Sequence, residues 1–374
     1  DNSAFMAIYK TRLNDFDYVV ERRPSVSYHQ VAQPIGGSGL VWTHDTDFSN
    51  LRLLYSEQDD PNINDNAKDV LRFNSAHELA LPFTAGPAVL SPFVEGQATA
   101  WNKEADSDTS SFRGAAGFGA RASTTLYRTY EVQSKLFDVD RVRHILTPKA
   151  EYHNLPYVSE DPDKYIQNDE VDALDKTQKL SVGLRSRWQT KRGEPNKQET
   201  VDFVTFEITQ NSYIGDEGAN AGKNDYTQVD LIWLISDRLT FMSLGDEYDT
   251  EDKRFTIGHA ELSWKIWKPL LGYLRHEYYD DPGVTKHSVS SLGVSYSPKH
   301  ARWTADFAMS YDWIGASADD TDRTKNLGVT MTLSRKVHGW IVAATLGLHQ
   351  GLSDSATFSF SVLPEGLIKS TRRM

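Results

Sequence analysis

Alternation of apolar and polar residues with a period of two constrains this chain more than any other feature of its sequence. Between Trp303 and Trp313 every second side chain is apolar or aromatic, and those between are small or polar. Because successive side chains of a strand point to opposite faces, the pattern predicts a strand with one apolar face. A helix would instead place Asp306 and Met309 on the same side, which a protein core would not accept.

The same alternation recurs along the chain, and no useful length of helical periodicity is found. Clear examples cover residues 180–185, 204–209, 327–334, 342–349 and 357–362. We count about eighteen such segments, each near the 9–11 residues that a tilted membrane strand requires. We therefore predict an all-β fold, a large antiparallel transmembrane β-barrel that is complete or part of a larger one. The barrel domain is assigned to residues 1–363 and a C-terminal tail to residues 364–374.

Aromatic placement and loop lengths favour a membrane barrel over a soluble β-sandwich. Trp303 and Trp313 share one face ten residues apart, or roughly 33 Å along a strand. With a tilt of about 40° this projects to about 25 Å, the height of a lipid-facing band between aromatic girdles. We assign Trp303, Tyr311 and Trp313 to a membrane girdle. Beyond about residue 225, short turns (236–238, 268–269, 298–301, 336–339) alternate with longer polar connections (250–253, 280–286, 315–325), as in outer-membrane barrels.

Charged residues on the polar face indicate what the barrel encloses. An Arg or Lys facing lipid at mid-depth costs about 2–4 kcal/mol, so these residues are expected to face inward. They predict a wide, water-filled lumen or one filled by a polar plug. The set consists of Arg185, Arg187, Glu207, Lys265, Arg275, Glu277 and Asp306.

Composition excludes several other classes of protein. A formal charge of −12 argues against a nucleic-acid partner, because phosphate binding needs clustered cations. The chain has no cysteine, so it has no disulfide and no thiolate metal site. No apolar run of about 18 residues could form a helical span. Residues 1–13 lack the pattern of a signal peptide, so we expect a mature chain or a fragment.

Motifs with chemical meaning are weak in this sequence. Residues 117–122 and 36–39 are rich in glycine, but neither joins a strand to a helix, and turn or strand roles are favoured. Acidic clusters at 57–65, 160–163 and 319–322 lack the spacing of an EF-hand. No HExxH or G-x-S-x-G motif is present. We therefore predict no catalytic residue, no metal site and no cofactor.

Prolines inside strand-like segments are unusual, because proline lacks the donor that a sheet requires. Pro24, Pro82, Pro92 and Pro148 all lie within or at the edge of such segments. Local bulges at strand ends are the favoured interpretation. Weak pairing that serves a function is the alternative.

Four stretches together resemble the barrel of LptD, the lipopolysaccharide-assembly translocon of the outer membrane. They are residues 9–16 leading to 20–26, then 90–96, 119–125 and 143–152, which include Pro24, Pro92, His144 and Pro148. The order and spacing of these stretches over the first 155 residues carry the resemblance. The remainder agrees in barrel pattern alone.

The resemblance implies a function that the residues alone would not. Proteins of this family receive lipopolysaccharide from a periplasmic Lpt bridge and insert it into the outer leaflet through a lateral gate. An outer-membrane lipoprotein plug, LptE-like, fills the lumen. The family barrel has more strands, a preceding jellyroll and, in well-known members, cysteines that link the domains. We therefore expect this chain to be a C-terminal portion.

A lateral gate requires a seam with few hydrogen bonds between strands. The last predicted strand provides a candidate gate strand, and a proline after it removes a donor. An ordinary closing strand is the equally weighted alternative. The candidate residues are Thr357, Phe358, Ser359, Phe360, Ser361, Val362 and Pro364.

Other functions remain open on sequence grounds. A diffusion porin or a ligand-gated receptor barrel would have the same architecture, although neither a constricting loop nor a plug domain is recognisable. An outer-membrane hydrolase would need a Ser/His pair facing lipid near one girdle.

Overall fold

The computed structural model describes residues 2–12, 19–55, 63–64, 67–134, 137–193, 197–281, 285–298, 302–314, 327–350 and 355–364. These residues form twenty β-strands and two 3₁₀ turns, Pro162–Lys164 and Gly218–Asn220, and contain no α-helix. The all-β class is confirmed. The strands are β1 (Ser3–Lys10), β2 (Val19–Pro34), β3 (Val41–Leu54), β4 (Asp69–Ala80), β5 (Phe83–Ala85), β6 (Ala88–Trp101), β7 (Ser111–Thr124), β8 (Leu126–Ser134), β9 (Val139–Val158), β10 (Thr177–Arg192), β11 (Glu199–Tyr213), β12 (Tyr226–Leu234), β13 (Leu239–Asp249), β14 (Arg254–Trp267), β15 (Leu270–Asp281), β16 (Thr285–Tyr296), β17 (Trp303–Asp312), β18 (Leu327–Val337), β19 (Trp340–Gln350) and β20 (Ser355–Pro364).

The strands form one antiparallel sheet in which neighbours along the chain pair with each other. Two strands are broken once. Both β4 and β5 pair with β6, and both β7 and β8 pair with β9. Because each broken strand occupies a single position, the twenty strands fill eighteen positions. This agrees with the eighteen or so segments counted from the alternation.

The four unusual prolines lie where strand pairing is interrupted. Pro82 lies between β4 and β5, and Pro92 stands opposite that break, where its carbonyl accepts a hydrogen bond from Leu81 N at 2.9 Å. Pro148 lies in β9 opposite the break between β7 and β8. Around Pro24 the register of β2 shifts against both β1 and β3. These positions are those expected of residues that cannot donate to a sheet.

Connection lengths confirm one part of the predicted asymmetry and correct another. The predicted short connections have two to six residues, at 235–238, 268–269, 297–302 and 338–339. Of the connections predicted to be longer, 313–326 is long, whereas 250–253 and 282–284 are as short as the others. The reason is that strands continue into acidic segments that resemble loops. Asp280 is paired in register with Lys286, and their side chains form an ion pair at 3.1 Å.

The asymmetry is stronger in the first half of the chain, where it was not predicted. Long connections at 55–68, 102–110, 159–176 and 214–225 alternate with shorter ones at 35–40, 86–87, 135–138 and 193–198. The longest, 159–176, has eighteen residues between β9 and β10. Several strands also exceed the predicted length, and β9 reaches twenty residues.

The chain divides into two compact units. The first unit comprises residues 1–125, 148–182 and 211–225, and the second comprises 126–147, 183–210 and 226–374. Most fully buried side chains belong to the first unit, in which Val70, Trp101 and Tyr165 form a packed cluster. In the second unit, buried apolar residues are concentrated at Val139, Val142 and Ile145.

Candidate functional site

In the second unit the sheet has an apolar face and a polar face. Phe307, Met331, Leu346 and Phe358 stand in register across β17 to β20, and each is between 43% and 73% exposed. A row of large apolar side chains with this exposure is expected where a protein contacts lipid or a partner. The adjacent row on the opposite face is polar and consists of Asp306, Thr332, Thr345 and Ser359.

The polar face of the second unit carries charges that are matched across strands. Arg185 lies 3.6 Å from Glu207, and Arg275 donates to Glu261 at 2.7 Å. Smaller polar contacts complete the set, such as Ser295 Oγ donating to Asp306 at 2.5 Å. The remaining residues predicted on this face are also in contact with polar groups: Arg187 with Asp202, Lys265 with the Asp237 carbonyl, and Glu277 with Arg275. The arginines of this face are therefore largely neutralised within the sheet.

The first unit contains a cluster of buried charges around the connection 159–176. Arg72 in β4, Arg113 in β7 and Asp172 in the connection are at most 3% exposed. Charges are almost never buried this deeply unless they are paired, because removal from water is costly. The connection supplies most of the partners, so it is folded against these strands.

Asp172 is the centre of this cluster. Its Oδ1 accepts a hydrogen bond from Trp101 Nε1 at 2.8 Å and lies 3.1 Å from Arg72 Nη1. Its Oδ2 accepts from the backbone N and the side-chain Nδ2 of Asn168, at 3.1 and 3.0 Å. Both carboxylate oxygens are thus occupied by donors, as a fully buried carboxylate requires.

The side chain of Arg113 binds backbone carbonyls of the connection. Its guanidinium donates to the carbonyls of Asp172 and Leu174 at 2.9 and 3.2 Å, and to that of Val171. The same group lies 5.0 Å from the ring centroid of Trp101 and 5.1 Å from that of Tyr165. The two rings stack on each other with centroids 3.8 Å apart. Cation–π and stacking contacts therefore add to the hydrogen bonds in fixing the connection.

Among the groups of the connection with shifted pKa values, Asp169 and Tyr165 contact the buried arginines. Burial by itself favours the neutral acid at Asp169, but the paired hydrogen bonds and charge of Arg72 outweigh it and hold the pKa below its ordinary value. Burial raises the pKa of the Tyr165 phenol. Near neutral pH the first group is an anion and the second is uncharged, which is the combination that the neighbouring arginines require.

The predicted girdle residues lie on or beside β17. Trp303 and Trp313 are about half exposed, and the rings of Tyr311 and Trp313 meet edge to face at 4.8 Å. The Arg335 guanidinium lies 5.1 Å from the centroid of Trp303. Such amphipathic contacts are typical of aromatic residues at a membrane interface. Their role as a girdle stays a prediction.

A Ser/His pair, the feature that a hydrolase would need, lies beside this predicted girdle. His276 Nδ1 is 3.0 Å from Ser290 Oγ, and Trp313 Nε1 donates to the same hydroxyl at 2.8 Å. A nucleophilic serine also needs a third group that orients the base. Among the described residues no carboxylate is bonded to this imidazole. The pair is a polar contact between neighbouring strands and carries no assignment of activity.

The candidate gate strand forms β20, two residues longer at its start than predicted and including Pro364. It pairs with β19 from Ser355 to Pro364. Phe358 and Phe360 are among the most exposed apolar side chains of the chain. Whether this strand is a gate or an ordinary closing strand stays a prediction, and tail residues 365–374 lie outside the described residues.

The residues that carry the family resemblance do not converge on one site. Pro24, Pro92 and Pro148 lie in β2, β6 and β9, at the interruptions described above. His144 in β9 stacks on Trp188 at 4.1 Å and is 2.8 Å from Ser186 Oγ. Part of the first stretch, residues 13–16, lies outside the described residues, as do most of the acidic cluster 57–65 and all of 319–322.

The sequence did not reveal the buried cluster around Asp172. Its members are separated by about forty to a hundred residues, so no local pattern connects them. One signal was available, because Arg72 and Arg113 occupy positions in alternating strands where the polar face is expected. Trp101 and Tyr165 gave no signal of their own.

In the described part of the chain, no helix is long and apolar enough to cross a membrane. No group of three or more His, Asp or Glu side chains in that part is arranged to hold a metal ion.

Comparison with known proteins finds a match to one family model. Residues 94–229 match the model described as LptD protein, which confirms the resemblance seen in the sequence. The matched part contains Trp101, Arg113 and the whole connection 159–176. The match indicates the cell outer membrane as the location. No sequence match was found among curated proteins.

Solved structures with distant similarity are outer-membrane receptors and CdiB. The ferripyoverdine receptor of Pseudomonas aeruginosa has a TM-score of 0.35 and 7% identity, covering 96% of this chain and 58% of that one. CdiB from Acinetobacter baumannii has a TM-score of 0.29 and 10% identity, covering 97% and 59%. The ferric-catecholate import receptor Fiu from E. coli K12 has a TM-score of 0.33 and 9% identity, covering 96% of this chain and 66% of that one. The chain spans about three fifths of the first two, and scores below 0.5 carry no argument about function.

Proposed function

We propose that this chain is the C-terminal barrel portion of an outer-membrane lipopolysaccharide translocon, which inserts lipopolysaccharide into the outer leaflet. The observation that carries the proposal is the match of residues 94–229 to the LptD protein. This match falls on the segment that contains Trp101, Arg113 and the anchored connection. In the proposal, the eighteen strand positions are part of a larger closed barrel with the polar face inside.

The chemistry of the polar face suits the passage of an anionic glycolipid. Unpaired arginines in a lumen would bind the phosphates of lipopolysaccharide tightly and slow its release, because Arg forms bidentate bonds with phosphate. Here Arg121 donates both Nη atoms to Glu78 at 2.7 Å and also contacts Glu151. Arg275 donates to one carboxylate oxygen of Glu261, and Arg185 lies 3.6 Å from Glu207. A lining that is polar but internally neutralised solvates the saccharide without retaining it.

The anchored connection 159–176 supports a second part of the proposal. Its contacts lie near the ends of β4, β6 and β7 that adjoin the long connections, which in outer-membrane barrels face the cell exterior. A connection fixed there by buried charges would close the external mouth against free diffusion. The cargo would then leave sideways into the membrane, as a lateral gate requires.

The seam itself is proposed to involve β20. In β20 the apolar side chains of Phe358, Phe360 and Val362 are highly exposed, and Pro364 removes a hydrogen-bond donor at the end of the strand. An edge with missing bonds costs less to part than a complete one, since unpaired groups in hydrocarbon are otherwise prohibitive. The partners in the proposal are lipopolysaccharide, an LptE-like lipoprotein plug and the periplasmic Lpt bridge.

Site-specific photocrosslinking in the full-length protein tests the proposal. A photoreactive amino acid at Thr332, on the polar face, should crosslink to lipopolysaccharide while transport is running. The same amino acid at Met331, one residue away on the apolar face, is the matched control and should contact membrane lipid at all times. Blocking supply from the periplasm should abolish the first crosslink and spare the second.

The opposite results would overturn the proposal. In one such result, the photoreactive residue at position 332 never crosslinks to lipopolysaccharide. In the other, its crosslink is unchanged when supply from the periplasm is blocked. Purification without lipopolysaccharide or a lipoprotein partner, together with steady ion conductance in planar bilayers, would favour a porin.

A further inference from the structure

An apolar hollow of about 600 Å³ lies in the second unit beside the hairpin formed by β8 and β9. Its walls are almost entirely apolar and come from five strands, β8 to β12, and a turn. This volume lies within the range of about 300–1,000 Å³ that is usual for sites of small ligands. The main lining residues are Tyr130, Val132, Val142, Trp188, Phe203 and Trp233.

The hollow is held open by a rigid base. The side chain of Arg192 is only 4% exposed and donates to the carbonyls of Phe137 and Asp138, both at 3.0 Å. It also donates to the Leu234 carbonyl at 2.8 Å, so it joins the β8–β9 turn to the end of β12. Thr190 Oγ1 accepts a hydrogen bond from Asp140 N at 2.9 Å. A preformed site of this kind binds a ligand without a large ordering cost.

A cation without a carboxylate partner lies at the hollow. The Arg128 guanidinium lies 5.2 Å from the ring of Tyr130, which lines the hollow. The strand register places Arg143, which contacts Tyr127, on the opposite face of this hairpin. Arg128 forms no ion pair among the described residues, whereas Arg121, Arg185 and Arg275 of the polar face are paired with carboxylates, and the chain carries a net charge of −12. An exposed, unpaired cation beside apolar walls therefore points to an anionic ligand.

One edge of the hollow is polar. Trp188 forms a wall, and its indole N–H donates to Ser186 Oγ at 3.0 Å, while His144 stacks on the same ring. Apolar walls with a cation and hydroxyl groups at the edge match a molecule that has a hydrocarbon chain and an anionic head. In an outer-membrane protein, the abundant ligand with this chemistry is a membrane lipid.

We propose that the hollow binds a single anionic glycerophospholipid, with an acyl chain inside and its phosphate against Arg128. The volume accommodates a ligand of few chains and is too small for all the chains of a lipopolysaccharide. The site is separate from the polar-face route proposed above, because its lining is apolar and Arg128 is unpaired.

Native mass spectrometry of the delipidated full-length protein with its partners tests this site. Phosphatidylglycerol should be retained in preference to phosphatidylcholine, with one molecule bound per protein. The variant R128Q should weaken this binding at least tenfold, and V132W, which fills the hollow from an exposed position, should do the same. The matched control is R335Q, which removes an arginine stacked on Trp303 outside the hollow and should leave binding unchanged.

A second readout places the acyl chain. Phosphatidylglycerol with brominated chains should quench the fluorescence of Trp188 and Trp233, and this part of the quenching should disappear in W188F/W233F. Equal retention of phosphatidylcholine, binding that both hollow variants leave intact, or a preference for lipopolysaccharide would each overturn the proposal. A failure of these experiments would leave the crosslinking result at Thr332 unaffected, so the two proposals are tested separately.

Discussion

Replacing Asp172 by alanine should release the connection 159–176 from the sheet. The substitution removes the acceptor of Trp101 Nε1, one partner of Arg72, and both bonds to Asn168. Arg72 and the indole N–H would remain buried with fewer partners. The loss of stability comes mainly from leaving the buried charge of Arg72 less well compensated, and less from the lost contact itself.

The size of the free-energy loss depends on the partners that Arg72 keeps in D172A. Removing one partner of a buried ion pair typically costs about 3–5 kcal/mol. The lower end applies here, because Arg72 keeps its paired bonds to Asp169 and lies 3.5 Å from Asp47. A loss of about 3 kcal/mol raises the population of the open connection by roughly a hundredfold. The pairing of β4, β6 and β7 does not involve the Asp172 side chain, so the strands themselves should stay folded.

Hydrogen exchange in the full-length protein measures this opening locally. Backbone amides of the connection should exchange about a hundredfold faster in D172A, and amides of β17 to β19 should not change. The control is E170A, which removes an exposed carboxylate two residues away. D172N should lie between the wild type and D172A, since it keeps the shape and loses the charge.

Unchanged exchange in D172A would refute the reasoning, because it would mean that the buried charges do not anchor the connection. Equal acceleration in E170A would also refute it, since any change in the connection would then be sufficient. Acceleration across β17 to β19 would show a general loss of folding instead of a local release.

The remaining predictions concern the faces, close packing and pH. M331K should lower the free energy of unfolding by about 2–4 kcal/mol, because it places a charge on the lipid-facing side. T330K, on the polar face, should lower it by far less. Heat modifiability compares the two variants, and equal losses would contradict the assignment of faces. G119A should prevent folding, because its Cβ would come within 2.3 Å of a backbone carbonyl, whereas G114A, with 3.8 Å to its nearest neighbour, should fold. The Asp169 pKa is held below its ordinary value of 3.8, so its stabilising contribution is complete above that value and is lost as the pH falls through the lower, folded value. Exchange protection of the connection should therefore persist to about pH 5, and its loss there would contradict the pairing with Arg72.

Local alternation was sufficient to predict the strands. β17 and β20 fall within two residues of the predicted segments, since a strand with one apolar face shows its period directly in the sequence. The breaks between β4 and β5 and between β7 and β8 were not predicted as breaks. Proline marked their positions, but alternation continues on both sides of each one.

The buried cluster could not be predicted, because it depends on register and on the path of a long connection. Arg72, Arg113 and Asp172 become neighbours when β4, β6 and β7 are aligned and the connection folds back over them. Residues 160–163 read as a solvated acidic cluster, which describes their own exposure correctly. The sequence gives no sign that, nine residues further, another carboxylate of the same connection is fully buried.

Anchoring also determines how other molecules can recognise the connection 159–176. Its exposed side chains, among them Asp161, Asp163, Lys164 and Glu170, are held in one arrangement by groups buried beneath them. A free peptide with the sequence of residues 159–176 lacks Trp101, Arg72 and Arg113 and will not adopt this arrangement. Antibodies raised against such a peptide should therefore bind the folded protein poorly, whereas antibodies raised against the intact protein should recognise a conformational epitope and lose affinity for D172A.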